Sequence, residues 1–118
     1  MKINPNILRK KVIDMVYDKK SGHIGGAFSM AELTSVLYED YDIGGKDKLI
    51  LSKGHAVPII YAVLHETGQI TDEELNLFRE IDSPLQGHPD KLRLQKTLVI
   101  CMITYKRDYN HLGGIVKL

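Results

Sequence analysis

The chain reads as an α/β protein with a parallel sheet, on three observations. A short apolar run, Leu49-Ile50-Leu51-Ser52, is bounded by turn-forming residues, as a buried strand would be. It passes through Lys53-Gly54-His55 directly into an apolar helical stretch. Segments with helix caps stand on both sides of this unit, so helices alternate with strand, the pattern that lays helices over parallel strands.

Taken in order, Asn4-Pro5 predicts an N-cap followed by proline at the first helical position. Leu8, Val12, Met15 and Val16 recur at helical spacing, and Ser21-Gly22 is expected to stop that helix. A loop holding Gly22, Gly25 and Gly26 follows. Ser29-Met30-Ala31-Glu32 has the form of a capping box opening a second helix, with Leu33, Val36 and Leu37 as its expected buried stripe, fading near residues 40–42. Gly44-Gly45 marks a turn. After the strand, a helix is expected from about residue 57 to 67, closed by Gly68 at its C′ position, with Pro58 tolerated in the first turn. Thr71-Asp72-Glu73-Glu74 is another capping box, opening a short helix that turns Leu75 and Phe78 inward and ends at Ser83-Pro84. The run from Leu98 to Tyr105 is rich in residues that suit a sheet: it is a second strand or, if unpaired, an aggregation hazard.

At 118 residues, 43% hydrophobic and 26% charged, the chain has the size and composition of one globular domain rather than a disordered segment. A formal charge of +1 gives no overall attraction to nucleic acid or anionic membrane. The distribution is uneven. Residues 1–90 carry 10 Lys and Arg against 14 Asp and Glu, a net of −4, whereas residues 91–118 carry 6 against 1, a net of +5. The expected division is therefore residues 1–90 and a divergent basic and apolar tail, 91–118. The basic residues of the tail are split by its apolar run, which argues against a nucleic-acid surface. The single cysteine, Cys101, lies within that run and reads as an inert thiol. No secretory pattern opens the sequence, and the apolar stretch from Leu98 to Ile103 is far too short to span a membrane; a cytoplasmic protein is expected.

Three glycine–histidine motifs carry the chemistry: Ser21-Gly22-His23-Ile24-Gly25-Gly26, Ser52-Lys53-Gly54-His55-Ala56 and Gln86-Gly87-His88-Pro89. Each sets an imidazole, able to hold or exchange a proton near neutrality, beside a residue without a side chain, where a ligand can approach the backbone. His55 stands at a strand–turn–helix junction, where helix N-terminal amides can receive an anion. Each histidine could instead simply fasten its turn. His65 falls inside a helix and reads as a partnered structural histidine, and His111 carries no motif. No pair of histidines has the short spacing of zinc ligands, so no metal site is assigned. The carboxylates of Glu73-Glu74 and Asp40/Asp42 read as solvated helix ends.

In this order and spacing the motifs resemble the N-terminal segment of the transketolase family. The likeness covers residues 10–90 and includes Ser29-Met30-Ala31-Glu32-Leu33, Leu49 to Ala56, Tyr61 to Gly68 and Gly87-His88-Pro89. The resemblance implies an incomplete thiamine-diphosphate-binding fold, with helices around a short parallel sheet and the metal-binding part lacking. It implies transfer of two-carbon ketol units between sugar phosphates, with thiamine diphosphate and Mg2+ as cofactors. It implies that His23 and His88 line the substrate channel, and that His55, with Gly54, lies close to the cofactor diphosphate and the substrate. It also implies a homodimer or a partner chain, because the family places its cofactor between subunits.

The sequence departs from the family after residue 90. Lys91-Leu92-Arg93-Leu94 stands where a Thr-Gly-Ser/Pro-Leu-Gly-Gln-Gly stretch is expected, and the Gly-Asp-Gly metal motif and the activating glutamate are absent from the chain. The chain alone is expected to be inactive. A non-enzymatic interaction module, the first chain of a split transketolase-like enzyme, and a relative of deoxyxylulose-phosphate synthase remain alternatives. The Ser-Lys-Gly-His-Ala and Gly-His-Pro motifs favour transketolase over the last.

Overall fold

The computed structural model describes residues 2–20, 22–43, 45–51, 54–78, 80 and 99–101, the last three by their backbone. Helix α1, Pro5–Lys19, opens as expected: the Asn4 side chain accepts from the Asn6 amide at 2.9 Å and Pro5 occupies the first turn. It ends two residues before the expected Ser21-Gly22 stop. Lys20 takes the left-handed conformation itself, at φ 50°, and its amide donates to the Tyr17 carbonyl at 3.2 Å.

The glycine loop contains a helix not foreseen in the sequence, α2, Gly25–Ser29. Its presence alters the start of the next helix. The Ser29–Glu32 capping box does not form, because Ser29 closes α2 and its hydroxyl donates to the Gly26 carbonyl at 2.8 Å. Helix α3, Ala31–Asp40, begins after Met30 with no side-chain cap. Its expected buried stripe is met only at Leu37, which is half-buried. Leu33 is 55% and Val36 50% exposed, while Ala31, Thr34 and Ser35 are buried. The small residues let α3 approach α1 and α4 closely, which turns Leu33 and Val36 outward.

Strand β1, Leu49–Leu51, pairs in parallel with β2, Val99–Cys101, in the register Leu49↔Val99, Ile50↔Ile100 and Leu51↔Cys101. Of the two readings of the Leu98–Tyr105 run, the strand is therefore observed over residues 99–101. A 3-10 turn, Gly54–Ala56, leads into α4, Pro58–Glu66, and Gly68 adopts φ +79° just beyond it, with its amide on the His65 carbonyl at 3.1 Å. Residues 58–64 of α4 are all buried, so this helix is the centre of the core. Leu8, Val12 and Met15 of α1 supply one side of that core.

Helix α5, Asp72–Asn76, carries the predicted capping box: Glu74 N–H donates to Thr71 Oγ1 at 3.1 Å, and Thr71 N–H donates to Glu74 Oε1 at 3.4 Å. It ends at Asn76 rather than at Ser83-Pro84, which lie outside the described residues. Phe78, in the following turn, is buried as expected, and Leu75 is half-buried against the core. The described residues are thus mostly helical, with a two-stranded parallel sheet among them.

Candidate functional site

His23 lies between Gly22, at φ +127°, and the start of α2. A side chain at Gly22 would meet strained backbone and put its Cβ 3.3 Å from Val16, so glycine suits the turn that presents His23. The His23 residue is exposed, and the space beside the Gly25 Cα is open. His55 is also exposed, on the 3-10 turn whose other two residues, Gly54 and Ala56, are buried. Helix α2 packs against this turn. Two of the three motifs, far apart in sequence, thus lie on adjoining segments. His88 lies outside the described residues.

The structure modifies the expected anion site at the helix entrance. Pro58 has no amide hydrogen, Val57 N–H donates to the Gly54 carbonyl at 3.2 Å, and residues 57–60 are buried. The first turn of α4 therefore faces the core, and among the described residues of this turn the exposed polar side chain is that of His55. Among the described residues, no three His, Cys, Asp or Glu side chains gather to hold a metal ion.

A residue missed by sequence reasoning shapes this region. From α1, Arg9 Nη2 donates to the Phe28 carbonyl at 3.1 Å and to both oxygens of Glu32 at 2.7 Å, while Nη1 donates to Asn6 Oδ1 at 3.1 Å. Its guanidinium carbon lies 6.0 Å from the Phe28 ring centroid. Hydrogen bonding to Arg9 holds the Glu32 carboxyl below its ordinary pKa. No local signal announces Arg9, because its partners on α2 and α3 come from distant sequence. Also on α3, burial pushes the Tyr38 hydroxyl well above its ordinary pKa, and among the described residues neither it nor the buried Thr34 hydroxyl has a hydrogen-bond partner.

His65 is partnered, as its helical position implied. Lys11 Nζ donates to His65 Nδ1 at 2.8 Å, which leaves Nε2 to donate its hydrogen to Asp72. Lys11 also pairs with Glu66. A cavity of about 610 Å³ lies here, lined by Lys11, Met15, Tyr17, His65, Leu75 and Phe78 among others. It sits at the far end of α4 from His55, and neither His23 nor His55 lines it.

Comparison with known proteins agrees with the motif reading. Residues 2–100 match the family model described as transketolase, thiamine diphosphate binding domain. The chain is similar to transketolase 1 of Escherichia coli (strain K12), with 36% identity over 94 residues. It is likewise 37% identical over 97 residues to transketolase 2 of that organism, and 37% over 92 residues to transketolase 2 of Xanthobacter flavus. The E. coli alignments cover 72% of this chain and 14% of the relatives' length, and the Xanthobacter one 70% and 13%. No helix among the described residues is long and apolar enough to cross a membrane. On the extent of the family match and the identity to these relatives, the chain belongs to the transketolase family.

Proposed function

We propose that the chain supplies part of a thiamine-diphosphate-dependent site for transferring two-carbon ketol units between sugar phosphates. The observation that carries this reading is the packing of α2, just beyond His23, against the turn bearing His55, with both histidines exposed. Two accessible imidazoles on adjoining segments suit a polyhydroxylated, phosphorylated substrate. In this reading His23 and His88 hydrogen-bond the donor's hydroxyls and carbonyl region, and His55, beside Gly54, lies near the cofactor diphosphate. An imidazole N–H aimed at a carbonyl oxygen stabilises the charge that develops there, or gives it a proton. Thiamine diphosphate, when bound, supplies the carbon nucleophile for breaking and making the carbon–carbon bond.

The exposed histidines fit hydrogen bonding to such a cofactor, but the described residues offer no Mg2+ site. With no Gly-Asp-Gly motif in the sequence, the metal ligands and the activating glutamate come from other polypeptide, in the same chain or in a partner. That the chain spans 14% of its relatives' length favours this arrangement: an inactive segment alone, completed by other polypeptide, since a homodimer brings together two copies that lack the same motif. Residues 91–118 are, in the same reading, a divergent tail. Reading the parent DNA in its other two frames for the Thr-Gly-Ser-Leu-Gly-Gln-Gly stretch tests a frameshift as the origin.

The site is tested by adding a ketose phosphate, then thiamine diphosphate with Mg2+, to the isotope-labelled chain. Amide resonances of residues 22–30 and 54–56 are expected to shift, without ketol transfer at an enzyme's ordinary rate. Shifts confined to other regions overturn the site, and rapid turnover overturns its incompleteness. A co-purifying protein with no thiamine diphosphate response supports the interaction module instead.

A further inference from the structure

We infer that Arg9 is a positioning residue for the histidine pair, holding the His23 segment in place against the turn that bears His55. The inference rests on the proposed shared site, but its structural basis is separate. Helix α2 is weak on its own: two of its five residues are glycine, and Ile24 at its N-cap makes no side-chain bond. It must be held by tertiary contacts. Ala27 is buried, and Phe28 packs against the core. Among the described residues, Arg9 is the side chain from another element that bonds an α2 backbone group, the Phe28 carbonyl.

The arginine does more than pair with a charge. One guanidinium joins a carbonyl on α2, a carboxylate on α3 and an amide oxygen on α1, while lying beside the Phe28 ring. A lysine ammonium has neither the planar fork nor the same capacity to stack. Because α2 also packs on residues 54–56, a shift of α2 moves the His23 entrance relative to His55. Arg9 thus governs the separation of the two imidazoles without touching a ligand.

Amide hydrogen exchange in the full 118-residue chain, read with no ligand present, tests this. Arg9→Met is expected to speed exchange across residues 24–30 and 54–56 by about tenfold, with the amides of Val12, Met15 and residues 60–64 unchanged. The ring resonances of both His23 and His55 should shift with them. Arg9→Lys is expected not to restore protection. A uniform rise in exchange, no change, or full restoration by lysine overturns the inference. Should Arg9→Met fail to fold, Glu32→Gln loosens one arm of the clamp and is expected to show the same regional pattern at smaller size; its absence is equally fatal. Since no cofactor is used, failure to bind thiamine diphosphate counts against the proposed function and leaves this result standing.

Discussion

The rings of Tyr61 and Phe78 meet edge to face, with centroids 5.8 Å apart and an interplanar angle of 67°. This contact fastens the turn after α5 to the middle of α4. Both residues are fully buried, so truncating Phe78 leaves a cavity that the surrounding helices cannot fill. Phe78→Ala is expected to cost about 3–5 kcal/mol and Phe78→Leu markedly less, read as the shift in urea midpoint.

The orientation of α3 gives a sharper test, because sequence and structure disagree about it. Leu33→Gln, on the exposed side, should change stability by no more than about 0.5 kcal/mol. Ala31→Leu, at the close approach to the core, is expected to cost about 1–3 kcal/mol by overpacking. Thermal unfolding of the two variants decides between the orientations; the reverse ranking would restore the stripe inferred from sequence.

Thr34 gives a test of opposite sign. Its hydroxyl is buried without a hydrogen-bond partner among the described residues, so removing it relieves a desolvation cost. Thr34→Val preserves the branched shape and is expected to stabilise the chain by about 1 kcal/mol. A loss of stability in urea unfolding would mean that the hydroxyl is satisfied in solution.

Acid should weaken the Arg9–Glu32 pair. Glu32 has a folded-state pKa below its ordinary value of 4.5, so its contribution is present above that pH and is lost as pH falls through the folded value. The Tm advantage of the wild type over Glu32→Gln should therefore be larger at about pH 6 than at about pH 3. It should also shrink in high salt, because the carboxylate is exposed. An advantage that is constant across this range would show that the pairing does not contribute.

The capping box at α5 is expected to carry a local effect. Thr71→Ala removes the acceptor for the Glu74 amide and should cost about 1 kcal/mol, with faster exchange at that amide. Unchanged exchange there would show that the cap is not populated.

The features legible in the sequence had local causes. Asn4-Pro5 and Thr71-Asp72-Glu73-Glu74 encode helix starts within four residues, and Gly68 encodes a stop by its left-handed backbone. The strand at residues 49–51 announced itself through turn formers on both sides. Where tertiary packing decided, local reading failed. Glu32 looked like a cap partner for Ser29 but is drawn to Arg9, and small residues at positions 31 and 35 set the face of α3 despite the larger apolar side chains beside them. In the candidate site, the histidines were visible as motifs. The arginine that braces one of their segments was not, because nothing near residue 9 foretells residues 28 and 32.

Helix α4 has no wet side. Seven consecutive residues, 58–64, are enclosed by the rest of the fold, so the segment lacks the polar stripe that would let it stand alone in water. During synthesis it leaves the ribosome well after α1 and α3, which are its main neighbours. Those earlier helices must wait half-assembled for their centrepiece, and any delay in its docking leaves a greasy cylinder open to chaperones or to other nascent chains.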